Sequence, residues 1–337
     1  MPLIHLRAFA KINLGLRILG QRPDGYHEIR TVYQTVTLHD QLEVCLRPAG
    51  RGSRVECDDP AVPTGPANLV HKACELWRKA TRFRGGISVR LEKVIPAGSG
   101  LGGASSDAAA TLLGLERLTG DRLNPPAWFS LVARLGSDVP LFLWGGRVLG
   151  CGRGEEVYPL DDLPRRHCLV VFPGFSISTV EAYREAGVKL RRPVRSGHSR
   201  ESRNPTGLQL TKGERVRRLA SFGLWPQLPL QNWGPAENDF EKVVFAKWPE
   251  LARLKRQLLR AGAETASLTG SGSAVYGLFV SARQLAQAQK LIPARWRAFK
   301  VKTLGRAEYW RGIAGRLNHR VIEPSGHFKC PGNDSIT

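Results

Sequence analysis

The hydrophobic pattern of the N-terminal part of the chain predicts strands before it predicts helices. Residues 3–19 and 31–46 carry closely spaced aliphatic and β-branched side chains, as two strands would. Between them lies the sequence QRPDGYH, with Pro23, Asp24 and Gly25 at its centre. Proline presets φ, aspartate offers a local acceptor and glycine accepts positive φ, so this tripeptide predicts a turn.

The next segment shows first helical spacing and then the alternation of a strand. Apolar residues recur at helical spacing between residues 67 and 83, through Val70, Ala73, Cys74 and Trp77. The sequence ISVRLE then alternates between apolar and polar positions and predicts a half-buried strand. After a glycine-rich segment, the run DAAATLLGLERL predicts a second helix that begins near Ser105 or Ser106 and ends at Gly120.

The second half of the chain repeats this mixture. The runs CLVVF (168–172) and AVYGLFV (274–280) predict buried strands, and PELARLKRQLLRAG (249–262) and SARQLAQAQKL (281–291) predict helices, the latter capped by Ser281. A Gly- and Pro-rich stretch near residues 155–165 indicates a division of the chain. We therefore place an N-terminal domain at 1–158, a C-terminal domain at 159–314 and a tail without apolar periodicity at 315–337.

The segment PAGSGLGGASS, from Pro96 to Ser106, is the strongest candidate for chemistry. Its glycines allow the backbone to approach a ligand closely, and successive N–H groups at a helix N-terminus bind anions. The segment therefore predicts a site for the phosphates of a di- or triphosphate. It is not a P-loop, because no lysine follows the glycines, and the acidic residue of a dinucleotide site is missing. A turn without a ligand is the alternative.

Three further features are weaker candidates. The sequence LTGSGSA, from Leu268 to Ala274, is a second glycine loop that could equally be an ordinary turn. Lys11 lies in the apolar run AFAKINLGL, where its amine needs either a partner or a path to water along an edge strand. Asp138, in LGSDVPLFL, is either a functional carboxylate or the cap of a turn.

Charge adds a second line of interpretation. The chain has 337 residues, 42% of them hydrophobic, which fits a globular protein of about two domains, and its formal net charge is +21. Ten basic and two acidic residues lie between positions 189 and 218. Aromatic residues, on which single strands of nucleic acid usually stack, are missing there. We interpret this segment as a solvated basic insertion.

Cysteines and apolar stretches exclude other classes. The six cysteines contain no C-x-x-C pair, which predicts reduced thiols rather than disulfides or a zinc site. No apolar stretch approaches the ~20 residues that cross a bilayer. Arg7, Lys11 and Arg17 interrupt the region where a signal peptide would be apolar, so we expect a cytoplasmic protein without membrane contact.

Four motifs together resemble a known family. RAFAKINLGLRILGQRPDGYHEI, PAGSGLGGASSDAA, LGSDVPLF and LTGSGSAV occur in this order in the GHMP small-molecule kinases, and the resemblance covers about residues 5–185 and 230–312. It implies an α+β, two-domain GHMP kinase fold with the active site in the cleft between the domains. The pairing of AKINLGL with RPDGYHE resembles one branch of the family. That branch transfers phosphate from ATP to the 2-hydroxyl of a cytidyl diphosphate sugar alcohol, in the non-mevalonate route to isoprenoids.

The resemblance also implies roles for particular residues. Asp138 would be the catalytic base and Lys11 its charged partner. Lys93 and the glycine loop would bind ATP: Pro96, Ala97, Gly98, Ser99, Gly100, Leu101, Gly102, Gly103, Ala104, Ser105 and Ser106. Tyr183 and Tyr26 would stack on opposite faces of the cytosine. The other residues implied to bind the substrate are Asn13, His27, Gly270, Ser271 and Gly272, the last three through backbone N–H groups.

Magnesium, partners and rival functions complete these expectations. Mg²⁺ would arrive with ATP, but its ligands stay unassigned, since Asp107 is close to the position of the family's acidic residue but immediately follows the serines. We expect a monomer or a homodimer whose partner is the small-molecule substrate. A homoserine or mevalonate type of GHMP kinase is one alternative, and a basic nucleic-acid-binding protein is the other.

Overall fold

The computed structural model describes residues 2–22, 24–47, 51–189 and 237–313. Within them, strands form two sheets, and helices cover a face of each. The basic insertion predicted near 189–218 lies outside the described residues, except that a helix ends at Lys189. The tail 315–337 also lies outside them.

The two longest strands of the first sheet, β1 (Leu3–Gln21) and β2 (His27–Arg47), form an antiparallel hairpin. The predicted turn joins them: the Arg22 N–H donates to the Tyr26 carbonyl at 2.7 Å. Strand order is β3-β4-β2-β5-β6, with β1 paired to β2 beside this path. The other strands are β3 (Ser53–Cys57), β4 (Gly86–Glu92), β5 (Arg147–Cys151) and β6 (Glu156–Pro159).

Three helices pack against the first sheet: α1 (Leu69–Thr81), α2 (Gly103–Thr119) and α3 (Pro125–Ala133). Asn68 caps α1 by accepting from the Val70 N–H at 2.7 Å. The four apolar residues that predicted this helix are all buried in it, with Trp77 at 0% exposure. Helix α2 buries most of its circumference in the same core, which is why its sequence shows little amphipathic period.

The second sheet is antiparallel, in the order β10-β7-β9-β8. Its strands are β7 (His167–Phe172), β8 (Thr265–Leu268), β9 (Val275–Phe279) and β10 (Arg297–Lys302). Four helices are associated with it: α4 (Thr179–Lys189), α5 (Glu241–Lys247), α6 (Pro249–Arg260) and α7 (Ala282–Gln289). The predicted cap of α7 is confirmed, since the Ser281 hydroxyl accepts from the Gln284 N–H at 3.3 Å.

The two sheets share a hydrophobic core. Ile12 and Val36 of the hairpin pack in one cluster with Val170 and Tyr276 of the second sheet. Helix α8 (Arg306–Ile313) packs against the hydrophobic core of the first sheet, where it buries Tyr309 and Ile313. The predicted division at 158/159 falls at the end of β6 and stays a prediction.

In the described part of the chain, no helix has the length and apolarity required to span a membrane.

Candidate active site

The first glycine loop, residues 96–102, connects the end of β4 to helix α2. Gly98, Gly100 and Gly102 all have positive φ, between 65° and 82°. A Cβ on Gly100 would lie 2.1 Å from the Thr269 carbonyl oxygen, so only glycine fits there. Helix α2 begins at Gly103, two residues or more before the predicted start, because Gly102 in the left-handed region ends the loop earlier.

The loop walls a cavity of about 430 Å³. Its lining includes the loop from Pro96 to Ser105, Lys93 and Asp107, and on the far side residues 61–63 and 67–69. Ser106, in contrast, is buried at 1% exposure. Backbone N–H groups of the first turn of α2 have no partner within the helix, so this wall presents positive partial charge to an anion.

Lys93 lies between two buried carboxylates at the edge of this cavity. Its ammonium donates to Asp40 Oδ2 and, at 2.6 Å, to Asp107 Oδ2. Burial alone would lower the pKa of Lys93, but the charges of Asp107 and Asp40 outweigh it and raise the pKa. Burial raises the pKa of Asp107 to about 7, against the attraction of Lys93. Asp40 Oδ1 also accepts the Val94 and Ile95 N–H groups, so the cluster fixes the chain just before the loop.

The Lys11–Asp138 pair lies on the opposite side of the glycine loop. Register shifts in the hairpin, between Phe9 and Lys11 and between Asn13 and Gly15, flank Lys11, and such bulges commonly re-aim side chains. Lys11 Nζ lies 3.5 Å from Asp138 Oδ2, and the Lys11 side chain is only 3% exposed. The alternative that this amine reaches water along an edge strand is therefore wrong.

Asp138 precedes a short 3-10 turn (Pro140–Leu143), but the first residue of that turn has no side-chain cap. Its carboxylate instead lines a second, larger cavity at 31% side-chain exposure, with Oδ1 accepting the Tyr33 hydroxyl at 3.1 Å. The capping alternative for Asp138 is thus not what the structure contains. A partly exposed carboxylate, held by an ammonium and a phenol, can accept a proton from a bound ligand.

Asn13 joins the Lys11 pair to the second glycine loop. Its Oδ1 accepts from Lys11 Nζ at 2.8 Å, from the Gly270 N–H at 2.7 Å and from the Thr269 hydroxyl at 3.2 Å. Its amide nitrogen donates to the Thr31 hydroxyl at 2.7 Å. Asn13 is 1% exposed, so its side chain holds Lys11 in place.

Two of the three N–H groups implied to bind the substrate diphosphate are engaged within the protein. The Gly270 N–H donates to Asn13, and the Gly272 N–H donates to the Thr269 carbonyl at 3.0 Å. Ser271 lines the larger cavity and shares a 3.0 Å hydrogen bond with the Thr179 hydroxyl. A ligand would therefore meet this loop mainly at Ser271.

Aromatic side chains line this larger cavity, of about 620 Å³. Tyr26 is 54% exposed, and the Arg153 guanidinium lies 4.6 Å from its ring centre. Tyr183 stacks on His27, with ring centres 4.8 Å apart and planes at 19°. Burial lowers the pKa of His27, which favours its neutral form. Tyr183 thus lies parallel to His27, and Tyr26, His27 and Tyr183 all line this one cavity.

The two cavities meet at the glycine loop. Gly100, Gly102, Ser105 and Thr179 line both of them. Lys11 and Asp138 line the larger cavity beside this junction. Such an arrangement can hold a polyphosphate on one side and an acceptor on the other, with an acid–base pair where they touch.

Comparisons with known proteins agree with this geometry. The family "GHMP kinases N terminal domain" matches residues 68–146, and "GHMP kinases C terminal" matches residues 223–298. The 4-diphosphocytidyl-2-C-methyl-D-erythritol kinase of Solibacter usitatus is 43% identical over 312 residues, covering 91% of this chain and 92% of that protein. The protein of the same name from Geobacter sulfurreducens is 34% identical, covering 90% of this chain and all of the relative.

The chain belongs to the 4-diphosphocytidyl-2-C-methyl-D-erythritol kinase family.

Solved structures add the fold. A crystal structure of a 4-(cytidine 5'-diphospho)-2C-methyl-D-erythritol kinase superposes with a TM-score of 0.67 at 31% identity, covering 90% of this chain and 100% of that one. A homoserine kinase from Cytophaga hutchinsonii superposes at 0.63 and 16% identity, covering 92% and 96%. The α+β, two-domain GHMP fold is confirmed, and the chain is an ATP-dependent small-molecule kinase.

Sequence analysis missed several residues of this kinase's site. Asp40 left a signal, since a carboxylate in the apolar strand TVTLHDQLEV needs a buried partner. Thr269 lies within the second glycine loop, but its sequence gives no sign of the hydrogen bond from its hydroxyl to Asn13. Tyr33 left no signal, because an aromatic residue in an apolar segment is ordinary core. Phe240, between Asp239 and Glu241, belongs to no motif. Arg153 belongs to a Gly-Arg-Gly turn, and only the fold brings it over Tyr26.

Proposed function

We propose that this kinase transfers the γ-phosphoryl group of ATP to the 2-hydroxyl of 4-diphosphocytidyl-2-C-methyl-D-erythritol, in the non-mevalonate route to isoprenoid precursors. The observation that carries the proposal is the Lys11–Asp138 pair, 3.5 Å apart where the two cavities meet. The names of the relatives, at 34–43% identity, support this choice of acceptor.

ATP would occupy the smaller cavity, with its phosphates against the glycine loop. The positive φ values at Gly98, Gly100 and Gly102 let the backbone approach phosphate oxygens closely. The dipole of α2 adds positive potential at the same place. Lys93 lines this cavity, but its ammonium bonds to Asp40 and Asp107, so it would support the loop more than contact the phosphates.

The acceptor would occupy the larger cavity. Tyr26, His27 and Tyr183 offer ring faces for a cytosine, and neutral His27 can both donate and accept a hydrogen bond. Arg153 and Arg184 also line this cavity and would offset the charge of the diphosphate. The reactive end of the acceptor would then point toward Asp138.

The chemical step is an in-line displacement at the γ-phosphorus. Asp138 accepts the proton of the C2 hydroxyl while that oxygen bonds to phosphorus. The bond from phosphorus to the β,γ-bridging oxygen breaks, and ADP leaves with the electron pair. Lys11 places its positive charge beside Asp138 and donates toward the reacting oxygens.

The described residues fit a Mg²⁺ ion that is carried by the nucleotide. No group of three or more His, Cys, Asp and Glu side chains suited to a metal occurs in the described part of the chain. Asp107 Oδ1, beside the glycine loop, is buried without a hydrogen-bond partner, so Asp107 would be the protein group that holds the ion. When bound together with the nucleotide, Mg²⁺ would neutralise phosphate charge and would need few protein ligands.

A comparison of acceptors tests the function. ADP release by the full chain is measured with the cytidyl diphosphate acceptor, with homoserine and with mevalonate, and the product is checked by mass for one added phosphate. We expect turnover with the first acceptor alone. In Tyr26→Ala, KM for that acceptor should rise about tenfold while KM for ATP stays constant, because one ring face is lost.

Two other outcomes would contradict this function. Turnover with mevalonate or homoserine instead would place the chain in another branch of the GHMP kinases. Absence of turnover with every acceptor, together with nucleic-acid binding that weakens steeply as salt rises, would favour the basic-protein alternative.

A further inference from the structure

A buried tyrosine of β2 directs its hydroxyl at the proposed base. Tyr33 is 2% exposed and donates its O–H to Asp138 Oδ1 at 3.1 Å. Burial and the charge of Asp138 raise the pKa of Tyr33 well above its ordinary value. Tyr33 therefore keeps its proton at any pH where a kinase works and always acts as the donor.

The surroundings of this ring depend on two glycines after and within β5. A Cβ on Gly150 would lie 2.5 Å from Tyr33 Cε2, and a Cβ on Gly154 would lie 2.5 Å from the Tyr33 hydroxyl oxygen. Gly154 also has φ of +107°, which side-chain-bearing residues rarely adopt. Because positions 150 and 154 are glycines, there is space for the Tyr33 ring and for its hydroxyl.

The two carboxylate oxygens of Asp138 have different partners. Oδ1 accepts the Tyr33 hydroxyl, whereas Oδ2 faces the Lys11 ammonium at 3.5 Å. Lys11 Nζ in turn lies 5.4 Å from the centre of the Tyr33 ring. Other ionisable groups near this set are Tyr183 on α4 and Glu155 after β5, and Arg153 lines the same cavity.

We propose that Tyr33 is a positioning residue for phosphoryl transfer, which holds the plane of the Asp138 carboxylate so that a free lone pair faces the acceptor hydroxyl. One donor on each oxygen prevents rotation of the carboxylate about its Cβ–Cγ bond. The donor also stabilises the ionised form, which is the form that takes up the proton. Tyr33 itself transfers no proton. This inference rests on the proposed role of Asp138.

Tyr33→Phe removes only the hydroxyl and keeps the ring in its space. We expect kcat to fall about 10- to 100-fold, the worth of one hydrogen bond to a charged group, with both KM values unchanged. The acidic limb of the kcat/KM profile should move to higher pH, because the ionised carboxylate loses a donor. If Tyr33 had a purely structural role, Tyr33→Phe would not lower kcat selectively and would not shift the acidic limb of the pH profile.

Tyr309→Phe is the matched control. Tyr309 is also 2% exposed, and its hydroxyl donates to the Phe142 carbonyl at 2.5 Å, outside both cavities. This variant should lose thermal stability yet keep kcat and the pH profile. Equal losses of kcat in the two phenylalanine variants would overturn the inference.

A double substitution separates this inference from the proposed function. If Tyr33 acts through Asp138, Tyr33→Phe should have almost no further effect on kcat in an Asp138→Asn background. A large loss in Asp138→Asn with no loss in Tyr33→Phe would overturn the role of Tyr33 alone. Near-normal turnover in Asp138→Asn would remove the base itself, and the role of Tyr33 with it.

Discussion

Two buried lysines flank the glycine loop, and they have opposite surroundings. Lys11 faces one carboxylate, Asp138, which is 31% exposed to a cavity. Lys93 bonds to two carboxylates, Asp40 and Asp107, that are 0% and 4% exposed. Each lysine is a buried cation and therefore requires an anionic partner. What differs is the exposure of the partner carboxylate: Asp138 opens onto the larger cavity, whereas Asp107 is almost fully buried at the edge of the smaller one.

The difference separates chemistry from architecture. Asp138 is partly exposed to the larger cavity, so a ligand in that cavity can contact its carboxylate. The Lys93 cluster is enclosed and carries one more negative than positive charge when all three groups are ionised. Its low-dielectric surroundings penalise that excess, and the pKa of Asp107 rises to about 7 as a result. We therefore interpret the Lys93 cluster as a support for the loop and the Lys11 pair as the reacting centre.

The largest expected effect is on turnover at the Lys11 pair. Asp138→Asn removes the proposed base while keeping its shape, and kcat should fall about 10²- to 10⁴-fold with ATP affinity unchanged. Steady-state kinetics and nucleotide titration measure the two quantities. Asp162→Asn is the control, because Asp162 accepts the Arg306 N–H at 2.6 Å and lines neither cavity. Normal kcat in Asp138→Asn would contradict the interpretation that the Lys11 pair, unlike the Lys93 cluster, takes part in the reaction.

The next effect is on stability at the Lys93 cluster. Lys93→Met leaves two buried carboxylates without a cation and should cost about 3–5 kcal/mol of unfolding free energy. Urea unfolding at pH 8 measures it, and the loss should shrink at pH 5, where a carboxylate can take up a proton instead. Lys11→Met should show the reverse pattern, with a modest stability loss and a large loss of kcat. Similar stability losses in both variants would contradict the distinction.

The smallest expected effect is a change in pH dependence at Asp107. Its native pKa of about 7 exceeds the unfolded value near 4, so the native state binds the extra proton between those pH values. The unfolding free energy contributed by this group therefore decreases as pH rises from about 4 to 7. Asp107→Asn should flatten the curve between pH 5 and 8 by about 2–3 kcal/mol, measured by urea unfolding across that range. An unaltered curve would show that Asp107 does not titrate there.

Much of the fold could be predicted from the sequence because its signals are local. The turn at Asp24–Gly25, the apolar face of α1 around Trp77 and the cap Ser281 each depend on neighbours a few positions away. The short strands β3, β5, β6, β8 and β10 were missed. Each of these strands has only four to six residues, too few for a clear hydrophobic pattern, and pairing with another strand of the sheet determines its position.

The site divides in the same way. The sequence by itself determined the glycine loop, Lys11 and Asp138 as candidates, since glycine spacing and a charge in an apolar run are visible in one dimension. Only the tertiary structure decided that Lys11 faces Asp138, that Lys93 is enclosed by Asp40 and Asp107, and that Tyr183 stacks on His27. These contacts join residues far apart in the chain, and the packing of the two sheets, not any local preference, sets their distances.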